Sequence, residues 1–247
     1  MPLYKVTAIN LNSRNFGEAD KVLTLFTYEK GKIQAIAKGA RRVKSKFGAR
    51  LEIFSHNRYL LASGRTFEII SQAETIESFR GLREKEDSIK LGSYMLWLIH
   101  QFAADHHASE DLFRFLLHNL RMLDQGADPA ILLRTFEIGL IKHEGFSPVL
   151  EECVSCGKKA DKLRAKVSFC FDRRGIVCSN CKKTMPKISD ISSGAVAWIR
   201  QVLDGKYISL KEMQKLDKMD PDVDILNESF LEHQLGKEIK NHRQPSY

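Results

Sequence analysis

Two groups of residues in this chain have the types and spacing to do chemistry. The first is a pair of cysteine knuckles, Cys153-Val-Ser-Cys156 and Cys178-Ser-Asn-Cys181, separated by twenty-one residues. Two such knuckles let four thiolates converge tetrahedrally on one Zn²⁺ at about 2.3 Å, and Gly157 allows the tight turn this requires. Four cysteine ligands close the coordination sphere, so the ion expected is structural rather than catalytic, and the HxE signature of the zinc deaminases is absent. A redox dithiol needs only one Cys-x-x-Cys pair, and an iron–sulfur cluster is the remaining alternative. Cys170 has no partner at ligand spacing and reads as a spare thiol.

The second group is cationic. Lys38, Arg41, Arg42, Lys44, Lys46 and Arg50 stand in thirteen residues that contain no acid. Residues 1–80 hold fourteen Lys or Arg against seven Asp or Glu, a net +7 of the +8 carried by the whole chain, which leaves residues 81–247 close to neutral. Charge concentrated in this way suits a polyanion, because neutralising phosphates releases condensed counterions. A plain solvated loop is the competing reading. Phe47, flanked by Lys46 and Gly48, is the leading candidate to stack on a base. Phe16, Phe26, Tyr28, Phe54, Tyr59 and Phe67 are further candidates, most of them expected in the core.

The elements that must position these groups follow from periodicity. Alternation and β-branched clusters predict five strands: Tyr4–Leu11, Val22–Tyr28, Lys32–Ala37, Leu51–Leu61 and Thr66–Ala73. Five short antiparallel strands in about eighty residues suggest a small barrel, either an OB-fold or an SH3-like one. The cationic stretch then connects the third and fourth strands, with Gly39 and Gly48 supplying backbone freedom at its ends. From Glu84 to about His106 the period changes to that of a helix, a second helix runs up to Gly126, and a third is capped by Asp128 with Pro129 at its first position. His100, His106, His107, His118 and His143 show no metal spacing.

Between the knuckles Val167, Phe169 and Phe171 alternate, and Asp172–Gly175 reads as a turn, so a β-ribbon spans the gap; Arg173 and Arg174 at its tip are candidates for a phosphate contact. Beyond it, Ser192 or Ser193 caps a helix, Ser209 with Glu212 forms a capping box, and a last helix follows Pro221 and carries Leu226, Phe230, Leu235 and Ile239. The expected architecture is α+β and multidomain. An OB-fold barrel occupies 1–80, a helical domain has its parts at 81–150 and 185–247, and a four-cysteine zinc ribbon is inserted at 151–184.

The longest apolar run, Tyr94–Ile99, falls far short of the roughly 20 residues of a membrane span, and MPLYKVTAIN is not a signal peptide, so a cytoplasmic protein is expected. Phosphate-binding GxxxxGK[ST], dinucleotide-binding GxGxxG and zinc-protease HExxH motifs are all absent.

With these pieces in order, the chain resembles the bacterial recombination mediator family RecO over nearly its whole length. Three stretches carry the likeness: Phe16–Thr27 continuing into Gly31–Arg50, then Leu132–Gly157, then Cys178–Cys181. The resemblance implies a non-catalytic protein that binds single- and double-stranded DNA and anneals complementary strands. It also implies work with RecR to help RecA replace single-strand-binding protein during gap and break repair. By position, Lys38, Arg41, Arg42, Lys44, Lys46 and Arg50 match the family's basic OB face, and Cys153, Cys156, Cys178 and Cys181 match its zinc ligands. Two other classes stay open from the residues alone. One is a zinc-ribbon nuclease or glycosylase using Glu84 and Asp87 or Glu151 and Glu152, and the other is an RNA- or ribosome-associated OB protein.

Overall fold

A computed structural model describes residues 2–159, 166–185, 187–205 and 220–243, which fall into two compact units, 1–126 and 127–247. The Ser209–Glu212 capping box lies outside the described residues.

In the first unit five strands close into a barrel: β1 (Leu3–Phe16), β2 (Asp20–Thr27), β3 (Gly31–Ala37), β4 (His56–Ala62) and β5 (Glu68–Glu77). Their order is β1-β2-β3-β5-β4, with β4 returning to β1. All neighbours are antiparallel except β3 and β5, which pair in parallel at Ala35–Glu68 and Ile36–Ile69. This is the OB arrangement, so the SH3-like alternative falls. Because β5 pairs beside β3, the connection 38–55 leaves the barrel wall and returns only at β4.

β1 is longer than the alternation at Tyr4–Leu11 suggests. Its first half, from Leu3 to Ile9, pairs with β4, and its second, from Ala8 to Phe16, pairs with β2, with a register shift at Asn10–Asn12 where the strand bends. The interior is filled by Val6, Ala8, Leu23, Leu25, Ile33, Ala35, Tyr59, Leu61 and Ile70, with Phe47 and Leu51 from the connection. The expected strand Leu51–Leu61 is therefore shorter. Leu51 closes a 3-10 turn at Gly48–Leu51, and Phe54 is buried at a left-handed φ of 66°, so their apolar side chains fill core space without joining the ladder.

Helices α1 (Arg80–Glu84), α2 (Glu86–Phe102) and α3 (Glu110–Asp124) complete this unit. The single helix expected from Glu84 to about His106 is broken at Lys85, which is extended, and stops at Phe102; His106 takes a left-handed φ of 56°. Phe113 on α3 packs against Phe26, Tyr28 and His56, which makes the outer face of the barrel a second apolar surface.

The second unit is built on α4 (Pro129–His143), with Asp128 accepting from the amides of Ala130 and Ile131 at 2.9 and 3.0 Å as expected of its cap. The chain then forms β6 (Lys166–Cys170), β7 (Gly175–Val177) and β8 (Ile188–Ser192), a sheet of order β7-β6-β8. β8 is an addition to the ribbon read from the sequence. Ser192 caps α5 (Ser193–Asp204) by accepting from the Ala195 amide. α6 (Asp222–Leu235) ends at Gly236, and Ile239 is buried beyond it, ahead of the short α7 (Lys240–Arg243). α4 packs on both α5 and α6, so the sheet and its knuckles interrupt a helical body.

Candidate nucleic-acid interface and metal centre

The cationic connection is tied to the turn between β1 and β2. The Gly39 amide donates to Asp20 Oδ1 at 2.7 Å, the Arg41 amide to the Ala19 carbonyl at 2.9 Å, and the Arg41 guanidinium to the carbonyls of Gly17 and Glu18 at 3.2 and 3.1 Å. Gly39 and Gly48 have φ of +68° and +53°, the left-handed values for which glycine suits the two ends. Further along, Lys46 Nζ donates to the Ser71 carbonyl at 2.7 Å.

The far end rests on a buried polar hub that periodicity did not reveal. Tyr59 donates its hydroxyl to Asn10 Oδ1 at 2.7 Å, and the side-chain amides of Asn10 and Asn57 both donate to the Arg50 carbonyl, at 2.9 and 2.7 Å. Burial raises the Tyr59 pKa well above its ordinary value, against the lowering effect of its bonds with Asn57 and Asn10, and so keeps the hydroxyl a donor. Asn10, at the bend of β1, and Asn57, near the start of β4, are the sequence trace of this hub.

Lys38, Arg41, Arg42, Lys44, Lys46 and Arg50 are all exposed, and none forms an ion pair among the described residues. A backbone held at both ends thus presents six uncompensated cations. Phe47 corrects the expectation placed on it. It is 2% exposed and fills the barrel interior, with Lys46 Nζ 5.2 Å from its ring, so no base can reach its face. Phe26, Phe54 and Tyr59 are also buried. Of the candidate aromatics, Phe16 is the one that is exposed. It is 41% accessible at the end of β1, beside the turn that Arg41 grips, with Phe67 edge-on at 5.7 Å.

In the second unit the four knuckle cysteines come together, every Sγ within 4.8 Å of the others. Cys156 and Cys178 are 3.8 Å apart. The edge of a tetrahedron with spokes of about 2.3 Å is about 3.8 Å, so this spacing fits a four-thiolate ion. Each knuckle closes with a tight turn, from the Gly157 amide to the Cys153 carbonyl (2.9 Å) and from the Lys182 amide to the Cys178 carbonyl (3.0 Å). The Cys178 amide also donates to Cys153 Sγ at 3.4 Å.

Burial alone would push the Cys153 thiol up, but amide donors from Cys178, Cys156 and Ser155 outweigh it and bring the thiol down to about 6. At Cys181 a Ser155 contact lowers the pKa, while bonds to the neighbouring cysteines raise it further, to about 11. The Cys178 thiol is lowered as well, chiefly by the Cys181 amide, so two thiolates form readily while the bonds among the sulfurs oppose the one at Cys181. A cation at the centre removes that opposition. Cys170 is buried against Cys153 and Val177 and lies outside the ligand set.

Glu84, Asp87, Glu151 and Glu152, the carboxylates of the nuclease alternative, are exposed, and Glu151 is paired with Arg200 at 2.8 Å. No helix among the described residues is long and apolar enough to cross a membrane.

Comparison with known proteins places these features together. Residues 1–79 match the family described as "Recombination protein O N terminal", an OB-fold domain, and residues 87–243 match "Recombination protein O C terminal". DNA repair protein RecO of Symbiobacterium thermophilum is 37% identical over 206 residues, 83% of this chain and 81% of its own length. RecO of Thermoanaerobacter sp. is 31% identical over 98% of this chain and 96% of its own, and that of Desulforamulus reducens is 30% identical over 97% and 93%. With both family regions matched and relatives aligned along nearly the full length, the chain belongs to the RecO family of DNA repair proteins.

Proposed function

We propose that this protein is a non-catalytic DNA-binding mediator of recombinational repair. Its barrel connection tracks a phosphate backbone through Lys38, Arg41, Arg42, Lys44, Lys46 and Arg50. The observation that carries this reading is six exposed cations without ion-pair partners on a backbone tied down at Gly39–Arg41 and at Arg50. A loop held in place spends little ordering entropy on binding, and each phosphate it neutralises releases counterions. Phe16, supported by Phe67, is the surface on which a base stacks.

The four cysteines hold one structural Zn²⁺, which supplies a cross-link between the two knuckles rather than a reaction centre. Bound strands are aligned for annealing by charge neutralisation alone. The relatives' name, DNA repair protein RecO, supports the role in DNA repair; action with RecR in loading RecA onto DNA covered by single-strand-binding protein, in the cytoplasm, is what the family resemblance implies.

The test is annealing of complementary labelled strands by the full chain, with Mg²⁺ or Mn²⁺ present or absent. Faster annealing with both strands left intact is expected. Metal-dependent cleavage would instead establish the nuclease alternative, and stronger binding of RNA than of DNA of matched sequence would point to an RNA-associated OB protein.

A further inference from the structure

The near-neutral balance of residues 81–247 conceals a second concentration of charge. Between Cys153 and Lys187 there are ten Lys or Arg and two Asp, a net +8 in thirty-five residues, while the remainder of 81–247 carries a net −7. A closed four-thiolate zinc site contributes about two negative charges, which still leaves the segment strongly cationic.

Its cations divide by position. Lys182 and Lys187 are paired, with Asp190 at 2.6 Å and Asp172 at 3.3 Å. Lys158, Lys159, Lys166 and Lys183 are exposed and have no ion pair among the described residues. These four come from segments that join at the metal end of the sheet. Lys158 and Lys159 follow the first knuckle, and the Lys158 carbonyl accepts from the Cys153 amide at 2.8 Å. Lys183 lies on the 3-10 turn Cys181–Thr184 of the second knuckle, and Lys166 opens β6, whose Ser168 pairs with Val177 just before Cys178.

We infer that the metal ribbon is a second nucleic-acid-binding surface, at which Lys158, Lys159, Lys166 and Lys183 contact a phosphodiester backbone. The inference deepens the proposed DNA binding and rests on that reading. No large exposed hydrophobic residue lies between Cys153 and Lys187 among the described residues, so the surface offers charge without the apolar anchors that an amphipathic peptide or a membrane would use. The ion that closes the knuckles holds the lysine-bearing segments in one arrangement before the strand arrives. With one cationic surface in each compact unit, a single chain can hold two strands, which is what annealing requires.

The test uses the zinc-loaded full chain and a labelled single-stranded oligonucleotide in a salt series, comparing wild type, K158A/K159A/K166A/K183A, and R41A/R42A/K44A/K46A. Each lost phosphate contact lowers the slope of log K against log salt by about 0.7, so the ribbon variant should lose about 2 to 3. A ribbon variant with full zinc content and the wild-type slope overturns the inference. A loop variant with unchanged slope beside an affected ribbon variant would remove the barrel reading and leave the ribbon standing.

Amine labelling of the wild type needs no variant. The oligonucleotide should protect these four lysines at least threefold. Equal labelling with and without it, or protection by polyglutamate but not by the oligonucleotide, overturns the inference.

Discussion

The Arg41 guanidinium donates to the Gly17 carbonyl at 3.2 Å across twenty-four positions of sequence, joining the cationic connection to the β1–β2 turn. The turn follows Phe16, so the contact brings the cationic connection to the turn beside the exposed ring. Two segments far apart in sequence, one carrying the charge and one the exposed ring, are thereby held together.

The two phenylalanines of this region should behave oppositely. Phe16→Ala is expected to leave the melting temperature nearly unchanged and to weaken single-strand binding by about 1 to 3 kcal/mol, the loss of one stacked base. Phe47→Ala opens a cavity in the barrel and should destabilise it by about 3 kcal/mol or more. Thermal melts alongside oligonucleotide titrations separate the two, and a Phe47→Ala protein of wild-type stability would refute the core assignment.

The metal centre has a thiol signature. If the four clustered cysteines hold the ion, a thiol reagent should react rapidly with none of the five cysteines of zinc-loaded protein, because Cys170 is buried. Chelation should expose four fast thiols and release one zinc per chain. Cys178→Ser should abolish metal retention while the barrel connection keeps its own contribution to the salt dependence.

A buried carboxylate ties the end of the described chain to the helical body. Glu137 on α4 is 0% exposed and accepts from Arg243 Nε and Nη2, both at 2.9 Å, and from Asn227 at 3.0 Å. Arg243 also reaches Asp224 at 2.7 Å. Removing Arg243 takes away both guanidinium bonds of this buried carboxylate, so Arg243→Ala should cost about 3 to 5 kcal/mol, whereas Glu137→Leu combined with Arg243→Leu should cost much less. A denaturant double-mutant cycle on the second unit measures the difference.

Acid should weaken the first unit in two windows. Burial lowers the His56 pKa below 6.5, only partly opposed by Glu77 at 3.2 Å, and the Arg121 charge lowers it further. The unfolded chain then binds the proton more readily, so this contribution is complete above about pH 6.5 and is lost as the pH falls toward the folded value. Glu77, held below its ordinary range chiefly by the Arg121 hydrogen bond, keeps its contribution above about 4.5 and loses it below, as the pH falls through its folded value. Melting temperature between pH 7.5 and 5.5 should fall in wild type and stay flatter in His56→Gln; parallel curves would contradict the assignment.

The parts legible in the sequence are those with local rules. The clustering of the four cysteines is found from spacing because two Cys-x-x-Cys pairs can converge on one point, and the Asp128–Pro129 start of α4 is found because a cap is a contact between residues two or three apart. The parts that escaped depend on distant partners. Phe47 sits among lysines yet fills the barrel, because the Gly48–Leu51 turn brings it inward. The Asn10–Asn57–Tyr59 hub joins residues up to forty-nine positions apart, and β8 exists only through pairing with β6. The charge of the metal ribbon was present in the sequence but hidden by averaging over a neutral half.

The central claim is that DNA lies along the barrel connection, and the salt dependence of single-strand binding tests it most directly. With Arg41, Arg42, Lys44 and Lys46 changed to alanine and the fold intact by melting, the slope of log K against log salt should fall by about 2 or more. A slope equal to that of the wild type would contradict the claim and leave the connection a solvated loop.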